Sequence, residues 1–153
     1  MVRIKINLPS KFAFSTNIPI RISDINLGRH LSWDSMFRIL DEASVQFWSR
    51  LDYPGMEKES ISRITVDAGI NYKRQAYHGQ TLRVEIAANE ITDKGLDLVY
   101  RVTEVDSGAE IAWAKTGILC YDYQKRKVVP IPEELRNRLS PKNPKQHTRQ
   151  ESA

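Results

Sequence analysis

One stretch of this sequence has the apolar period of a long helix, and nearly everything after it alternates in the manner of β-strands. Ser32 has the residue type of an N-cap, and Asp34 falls in the first turn, where the helix dipole favours a carboxylate. Pro54 and Gly55 would stop the helix, which is about 18 residues or roughly 27 Å long. Its apolar face recurs at three- and four-residue spacing, at Trp33, Met36, Phe37, Leu40, Ala43, Phe47 and Leu51.

The alternating segments predict an antiparallel sheet. The turns at 93–95 and 106–108 are short enough to join antiparallel neighbours. One long apolar helix and one sheet of about five strands must cover each other, which predicts an α+β fold in the hot-dog arrangement. Because an open sheet leaves edges and an uncovered face, pairing with a second copy is expected. The predicted strands cover 14–23, 64–72, 82–88, 98–103 and 111–123, and a short helix covers 132–139.

The length of 153 residues fits a single domain, which we place at residues 1–139. Residues 140–153 contain two prolines and no apolar period, so we predict a disordered basic tail. Three cations and one carboxylate give that tail half of the net charge of +4. The small remaining excess does not indicate a nucleic-acid partner.

Several other classes of protein are also not expected. The single cysteine, Cys120, cannot form an intrachain disulfide and reads as a packed strand residue. No apolar run approaches the ~20 residues of a membrane span, and the N-terminus lacks the apolar block of a signal peptide. The three histidines and one cysteine show no spacing typical of a metal site. We therefore expect a cytoplasmic protein without a bound metal.

The loop before the long helix holds the densest set of reactive side chains. It reads SDINLGRHLSWD over residues 23–34. The N–H groups and positive dipole end of a helix can stabilise a developing oxyanion. A nearby carboxylate or imidazole can act as a base, or the carboxylate as a nucleophile. These groups could hydrolyse an ester or thioester without a metal, whereas the simpler interpretation is a capped loop with a glycine turn.

Three motifs resemble those of the hot-dog acyl-CoA thioesterases related to 4-hydroxybenzoyl-CoA thioesterase. Residues 24–34 followed by 40–43 (LDEA) resemble the family's Asp-x-Asp/Asn, Gly-His turn and helical Glu-Ala-Arg stretch. Residues 70–82 (INYKRQAYHGQTL) resemble its Tyr-x-Arg/Lys-x-Ala, Gly-Asp turn and next strand. Residues 114–118 (AKTGI) resemble its long strand, and together the motifs span about residues 12–135 in matching order.

The resemblance implies a thioester hydrolase that acts on acyl-CoA, with active sites at the interface of a homodimer or a dimer of dimers. No cofactor is implied, because coenzyme A enters only as part of the substrate. The helix N-terminus would polarise the thioester carbonyl, and loop residues would activate water or attack directly. The catalytic positions carried over from the family are Asp24, Asn26 and His30, and Asp34 and Glu42 are further carboxylates on the helix.

Asn26 stands where many members of the family have the catalytic Asp. An amide cannot act as a base, although it can orient water or donate to an oxyanion. The base would then be one of four residues. The sequence does not decide between Glu42 and its neighbour Asp41, which lies on another face of the helix. Those four residues are His30, Asp24, Asp34 and Glu42.

The substrate-binding prediction concerns the second motif. Cations and backbone donors suit the nucleotide phosphates of coenzyme A, although ordinary strand-end charges are an equal interpretation. The residues are Tyr72, Lys73 and Arg74.

Three other functions remain open at this point. Hydratase or dehydratase chemistry occurs on the same fold, but the His-Phe-Pro-type motif of the carrier-protein dehydratases is absent. A catalytically silent hot-dog protein that binds acyl-CoA or acyl carrier protein is supported by Asn26. A nucleic-acid binder is supported only by the basic tail.

Overall fold

The structure, a computed structural model, describes residues 1–53 and 61–140. The predicted helix stop at Pro54 and Gly55 lies outside the described residues, as does the predicted tail apart from Ser140. The chain forms β1 (Phe14–Pro19), α1 (Trp33–Arg50), β2 (Ile61–Tyr72), β3 (Thr81–Asn89), β4 (Gly95–Glu104), β5 (Glu110–Asp122), β6 (Lys127–Val128) and α2 (Glu133–Leu139).

The predicted elements are confirmed in type and in order. The first strand ends earlier than predicted, at Pro19, because the chain turns into a 3-10 helix at Ile22–Asp24 before it reaches α1. The short β6, which pairs with the end of β5, was not predicted. A strand of two residues is too short to show an alternating pattern.

The sheet has the strand order β1-β3-β4-β5-β2, and each neighbouring pair is antiparallel. Helix α1 connects β1 to β2, which lie at opposite ends of this order. The helix therefore has to cross the sheet. The predicted arrangement of one long helix against an antiparallel sheet is confirmed.

A β-bulge in β2 determines which of its side chains face the helix. Thr65 pairs with Ile118 and Asp67 with Gly117, so Val66 is an extra residue in β2. Side chains alternate between the faces of a strand, and one extra residue reverses the alternation. Because of the bulge, inward-pointing side chains before it and after it face the same side of the sheet, the side on which the helix lies. In an unbroken strand these side chains would point to opposite faces.

Helix α1 packs on the inner face of the sheet with side chains that are at most 6% exposed, among them Met36, Leu40 and Phe47. They meet inner-face residues of β3 and β4 that are 1% exposed or less, such as Ile86. Trp33 departs from the predicted apolar face, since it is 68% exposed. It lies outside this packed core, in the wall of a cavity described below.

The N-terminal residues lie against the sheet without forming a strand. Ile6 is buried, and the carbonyl of Ile4 accepts a hydrogen bond of 2.9 Å from the side chain of Asn71 in β2. The guanidinium carbon of Arg101 in β4 is 5.0 Å from the ring centroid of Phe12. The N-terminal segment therefore packs against the sheet through Ile6 and the contacts of Ile4 and Phe12.

Candidate active site at the amino end of the long helix

The loop between β1 and α1 is held in place by a buried carboxylate. Asp24 is only 3% exposed, and its side chain accepts a hydrogen bond of 2.8 Å from the N–H of Arg21. Its backbone carbonyl accepts one of 2.9 Å from the N–H of Ser32. Further along, the N–H of Leu31 donates to the carbonyl of Ala76 at 2.7 Å. These bonds fix the entry into the helix.

Asn26 and His30 lie together on a tight turn within this loop. The side-chain oxygen of Asn26 accepts a hydrogen bond of 3.0 Å from the N–H of Gly28, and its backbone N–H donates to the carbonyl of His30 at 3.1 Å. A Cβ atom on Gly28 would lie 2.9 Å from Nε2 of His30. A side chain at this position would therefore displace the imidazole. Because the amide oxygen of Asn26 is occupied, its NH₂ group remains available as a donor.

The hydrogen bond of His30 identifies its tautomer. Nδ1 lies 3.2 Å from the carbonyl oxygen of Leu31. A carbonyl can only accept, so Nδ1 carries the hydrogen in this bond. Nε2 of the neutral ring then has the free lone pair, which a general base requires. The ring is partly buried beside Asn26.

These side chains border a cavity of about 330 Å³ at the amino end of α1. Three of the predicted catalytic or binding segments meet there: the loop, the start of the helix and the end of β2. The hydroxyl of Tyr72 donates to the carbonyl of Trp33 at 2.5 Å, and burial raises the pKa of this phenol. The lining consists of Asn26, His30, Leu31, Trp33, Met36, Tyr72, Lys73, Arg74, Gln75, Ala76 and Ile111.

The predicted cations rim this cavity. The ammonium of Lys73 lies 4.1 Å from the ring centroid of Trp113, and the guanidinium of Arg74 donates to the carbonyl of Glu110 at 3.5 Å. The backbone N–H groups of both residues donate to the carbonyl of Ile111. The positive charges are therefore held at the surface beside the opening.

The two helical carboxylates occupy different environments. Asp34 is exposed at the first turn, and a hydrogen bond from the hydroxyl of Ser32 lowers the pKa of its carboxyl. Glu42 is exposed on another side of the helix and accepts a hydrogen bond of 3.0 Å from Gln46. Asp41 instead lines a second cavity between α1 and β2. The structure thus distinguishes Glu42 from Asp41, between which the sequence did not decide.

Sequence reasoning did not find the carbonyl that orients His30, and it gave Tyr72 a binding role without its hydrogen bond to the start of the helix. Gln75, Ala76 and Ile111 also line the cavity and had no role in the prediction. The motif containing Tyr72 was the only local signal for this wall, because the contact between β2 and the helix joins residues that are distant in sequence.

A long helix against an antiparallel sheet, with a cavity at the helix N-terminus, defines a protein of the hot-dog fold. The chain belongs to the Thioesterase-like superfamily, whose family model matches residues 20–139. The predicted family and the prediction of a thioesterase are thereby confirmed.

Individual relatives agree with this assignment. The long-chain acyl-CoA thioesterase FadM of Escherichia coli (strain K12) is 24% identical over 128 residues, or 81% of this chain and 95% of FadM. Slr0204, a 1,4-dihydroxy-2-naphthoyl-CoA thioesterase from Synechocystis, has a TM-score of 0.76 at 17% identity, covering 82% of this chain and 94% of that one. The 12:0-ACP thioesterase from Umbellularia californica has a TM-score of 0.72 at 17% identity, covering 82% of this chain and 51% of that one. The solved structures confirm the hot-dog fold.

Among the described residues, no helix is both long and apolar enough to cross a membrane.

Proposed function

We propose that this protein hydrolyses acyl-CoA thioesters to the free acid and coenzyme A. The observation that carries the proposal is His30, whose Nε2 has a free lone pair because Nδ1 donates to the Leu31 carbonyl, in a cavity at the amino end of α1. A base beside an oxyanion-stabilising helix end is the combination that thioester hydrolysis requires. The similarity to FadM supports an acyl-CoA substrate.

In the proposed reaction, Nε2 of His30 takes a proton from water while the water oxygen attacks the thioester carbonyl carbon. The helix dipole and the NH₂ group of Asn26 stabilise the resulting oxyanion. When the C–S bond breaks, the imidazolium of His30 returns the proton to the departing thiolate. Asp24 holds the loop in place from its buried position. Of the other predicted catalytic residues, Asp34 stabilises the start of the helix. Glu42 takes no part in these steps.

Lys73 and Arg74 are proposed to bind the phosphates of coenzyme A, because both cations lie at the rim of the cavity. Tyr72 braces the same wall through its bond to Trp33. No further cofactor takes part in the proposed reaction.

We also propose that the active site lies at an interface between two copies, in a homodimer or a dimer of dimers. Two observations support this. Three apolar side chains of α1, those of Trp33, Phe37 and Val45, are 68%, 37% and 54% exposed. Strand β2 is the last strand of the sheet order, next to this apolar surface. A second copy could cover both features. A monomer on a calibrated sizing column would contradict this part of the proposal.

The test is a thiol-release assay with the pure protein and a panel of acyl-CoAs of different chain length and aromatic character. His30→Ala should lower kcat by about 10²- to 10⁴-fold. His78→Ala is the matched control, since His78 lies in an exposed turn and should leave kcat unchanged. If no acyl-CoA is turned over, the proposal fails. Tight acyl-CoA binding without turnover would instead establish the silent binding protein.

A further inference from the structure

A second cavity of about 320 Å³ lies between α1 and β2, further along the helix than the active-site cavity. Trp33 and Tyr72 line the first cavity, and Phe37 and Ala68 line the second. The two cavities therefore share the same helix and the same strand as walls. The floor of the second cavity is formed by inner-face residues of β4 and β5, including Tyr100.

Arg63 of β2 lies in this second cavity, beside the carboxyl-terminal half of α1. Its guanidinium carbon is 4.3 Å from the ring centroid of Trp48 and 5.5 Å from that of Tyr53. Nη1 is buried and has no hydrogen-bond partner in the part of the chain that the structure describes. No ion pair within residues 1–53 and 61–140 includes Arg63.

This environment leaves part of the guanidinium unsatisfied. The aromatic rings attract the face of the cation, but its N–H groups lie along the edge and need acceptors. Burial lowers the pKa of Arg63, although a guanidinium remains charged at neutral pH. A buried donor without a partner is costly, and a buried charge more so. An acceptor from a bound molecule would remove that cost.

The other polar groups of the cavity do not supply this acceptor. The hydroxyls of Tyr100 and Thr116 bond to each other at 3.0 Å. Asp41 lies two turns before Trp48, about 10 Å nearer the amino end of α1 along the helix axis. Methylene groups of an acyl chain would therefore pass Asp41 before the chain end reaches Arg63.

We propose that Arg63 selects acyl groups that carry a carboxylate at the far end of a long chain, so that the preferred substrates are ω-carboxyacyl-CoAs. This inference rests on the proposed acyl-CoA hydrolysis. The reacting carbonyl lies at the amino end of α1, and the distance along the axis from Trp33 to Trp48 is about 22 Å. At about 1.25 Å per C–C bond along an extended chain, 16 carbons span about 19 Å, and a hydrogen bond of about 2.9 Å from the terminal carboxylate to the guanidinium covers the remainder.

The experiment compares hexadecanedioyl-CoA with palmitoyl-CoA, which differ only in the terminal carboxylate. Wild-type kcat/KM should be higher for the diacid, and Arg63→Met should lower it by about 10- to 100-fold for the diacid alone, as expected for a lost charge-assisted hydrogen bond. Decanedioyl-CoA and decanoyl-CoA form a length control, because the shorter diacid cannot reach Arg63. Arg83→Met is the matched substitution at an exposed arginine of β3 and should change neither rate.

Two further measurements test the role of Arg63 without relying on turnover. Calorimetric binding of hexadecanedioic acid and palmitic acid tests the same selectivity without turnover, and Arg63→Met should abolish the preference for the diacid. The melting temperature of Arg63→Met should be equal to or above that of the wild type, because an unpaired buried charge is removed. A decrease in melting temperature larger than the loss of the contacts with Trp48 and Tyr53 explains would show that the guanidinium has a hydrogen-bonding partner within the chain and would overturn the inference.

The failures of the two proposals are distinguishable. If palmitoyl-CoA is hydrolysed and the diacid preference is absent or unaffected by Arg63→Met, selection by Arg63 is refuted and thioester hydrolysis stands. If neither thioester is hydrolysed, the proposed function fails, and the calorimetric comparison alone decides whether Arg63 binds a carboxylate.

Discussion

The substitution Gly28→Ala tests the active-site geometry most directly. A Cβ atom at this position would lie 2.9 Å from Nε2 of His30 and 3.2 Å from the side-chain oxygen of Asn26. Both contacts are shorter than van der Waals separation, so the imidazole has to move by several tenths of an ångström. The displaced atom is at the end of the half-buried His30 side chain. Gly28 itself is exposed, and its backbone conformation is open to alanine.

The expected result is a loss of activity with little loss of stability. A 1 Å misplacement of a catalytic group costs about 100-fold in rate, so a smaller shift should lower kcat by about 10- to 100-fold. The free energy of unfolding should change by less than about 1 kcal/mol, as for most exposed positions. The measurements are kcat in the thiol-release assay and the urea midpoint of unfolding.

Gly108→Ala provides a control with the opposite signature. Gly108 has a φ of +71° at the turn between β4 and β5, and an added Cβ would meet no atom within 4 Å. Alanine there should destabilise the protein by about 1 kcal/mol and leave kcat unchanged. Wild-type kcat in Gly28→Ala, or a loss of stability as large as that of Gly108→Ala, would refute the geometry derived for His30.

Three further predictions concern other parts of the molecule. Asp24→Ala should cost about 1 to 3 kcal/mol of stability because the N–H of Arg21 loses its acceptor, whereas Asp24→Asn should fold and keep kcat within about tenfold; an inactive but stable Asn variant would instead mark a catalytic carboxylate. Tyr72→Phe should cost about 1 kcal/mol, measured by urea unfolding, and lower kcat several-fold, because the helix start loses its bond to Trp33. The hydrogen bond from the N–H of Asp106 lowers the pKa of the Glu104 carboxyl. The contribution of Glu104 to stability is therefore present above its pKa in the unfolded chain and is lost as the pH falls through the lower pKa of the folded protein. Glu104→Gln should make the free energy of unfolding less dependent on pH in that acidic range.

The sequence alone determined the architecture because its signals are local. The apolar period from Met36 to Phe47 requires a helix, and the alternation from Leu82 to Ala88 requires a strand with one buried face. Loop residues 23–34 precede a helix N-terminus whatever the rest of the chain does. For that reason the sequence could place the candidate site at the amino end of α1, where the structure has a cavity.

The roles of individual residues in the site depended on tertiary contacts. The sequence lists both Asp24 and His30 among the candidates, whereas folding buries the first beside the N–H of Arg21 and leaves the second with a free Nε2. The face occupied by Asp41, as opposed to Glu42, depends on where α1 lies over the sheet. These outcomes depend on atoms contributed by residues far apart in the chain.

The bulge at Val66 is the clearest example of a feature that depended on tertiary contacts. Arg63 and Tyr72 are nine residues apart, an odd spacing that predicts opposite faces of a strand. Pairing with β5 inserts the extra residue, and Gly117 opposite it leaves room for Asp67, since a Cβ there would clash with the carboxylate. The sequence by itself determined the strand, but only its pairing with β5 decided that both side chains face the helix, because register is a property of two strands together.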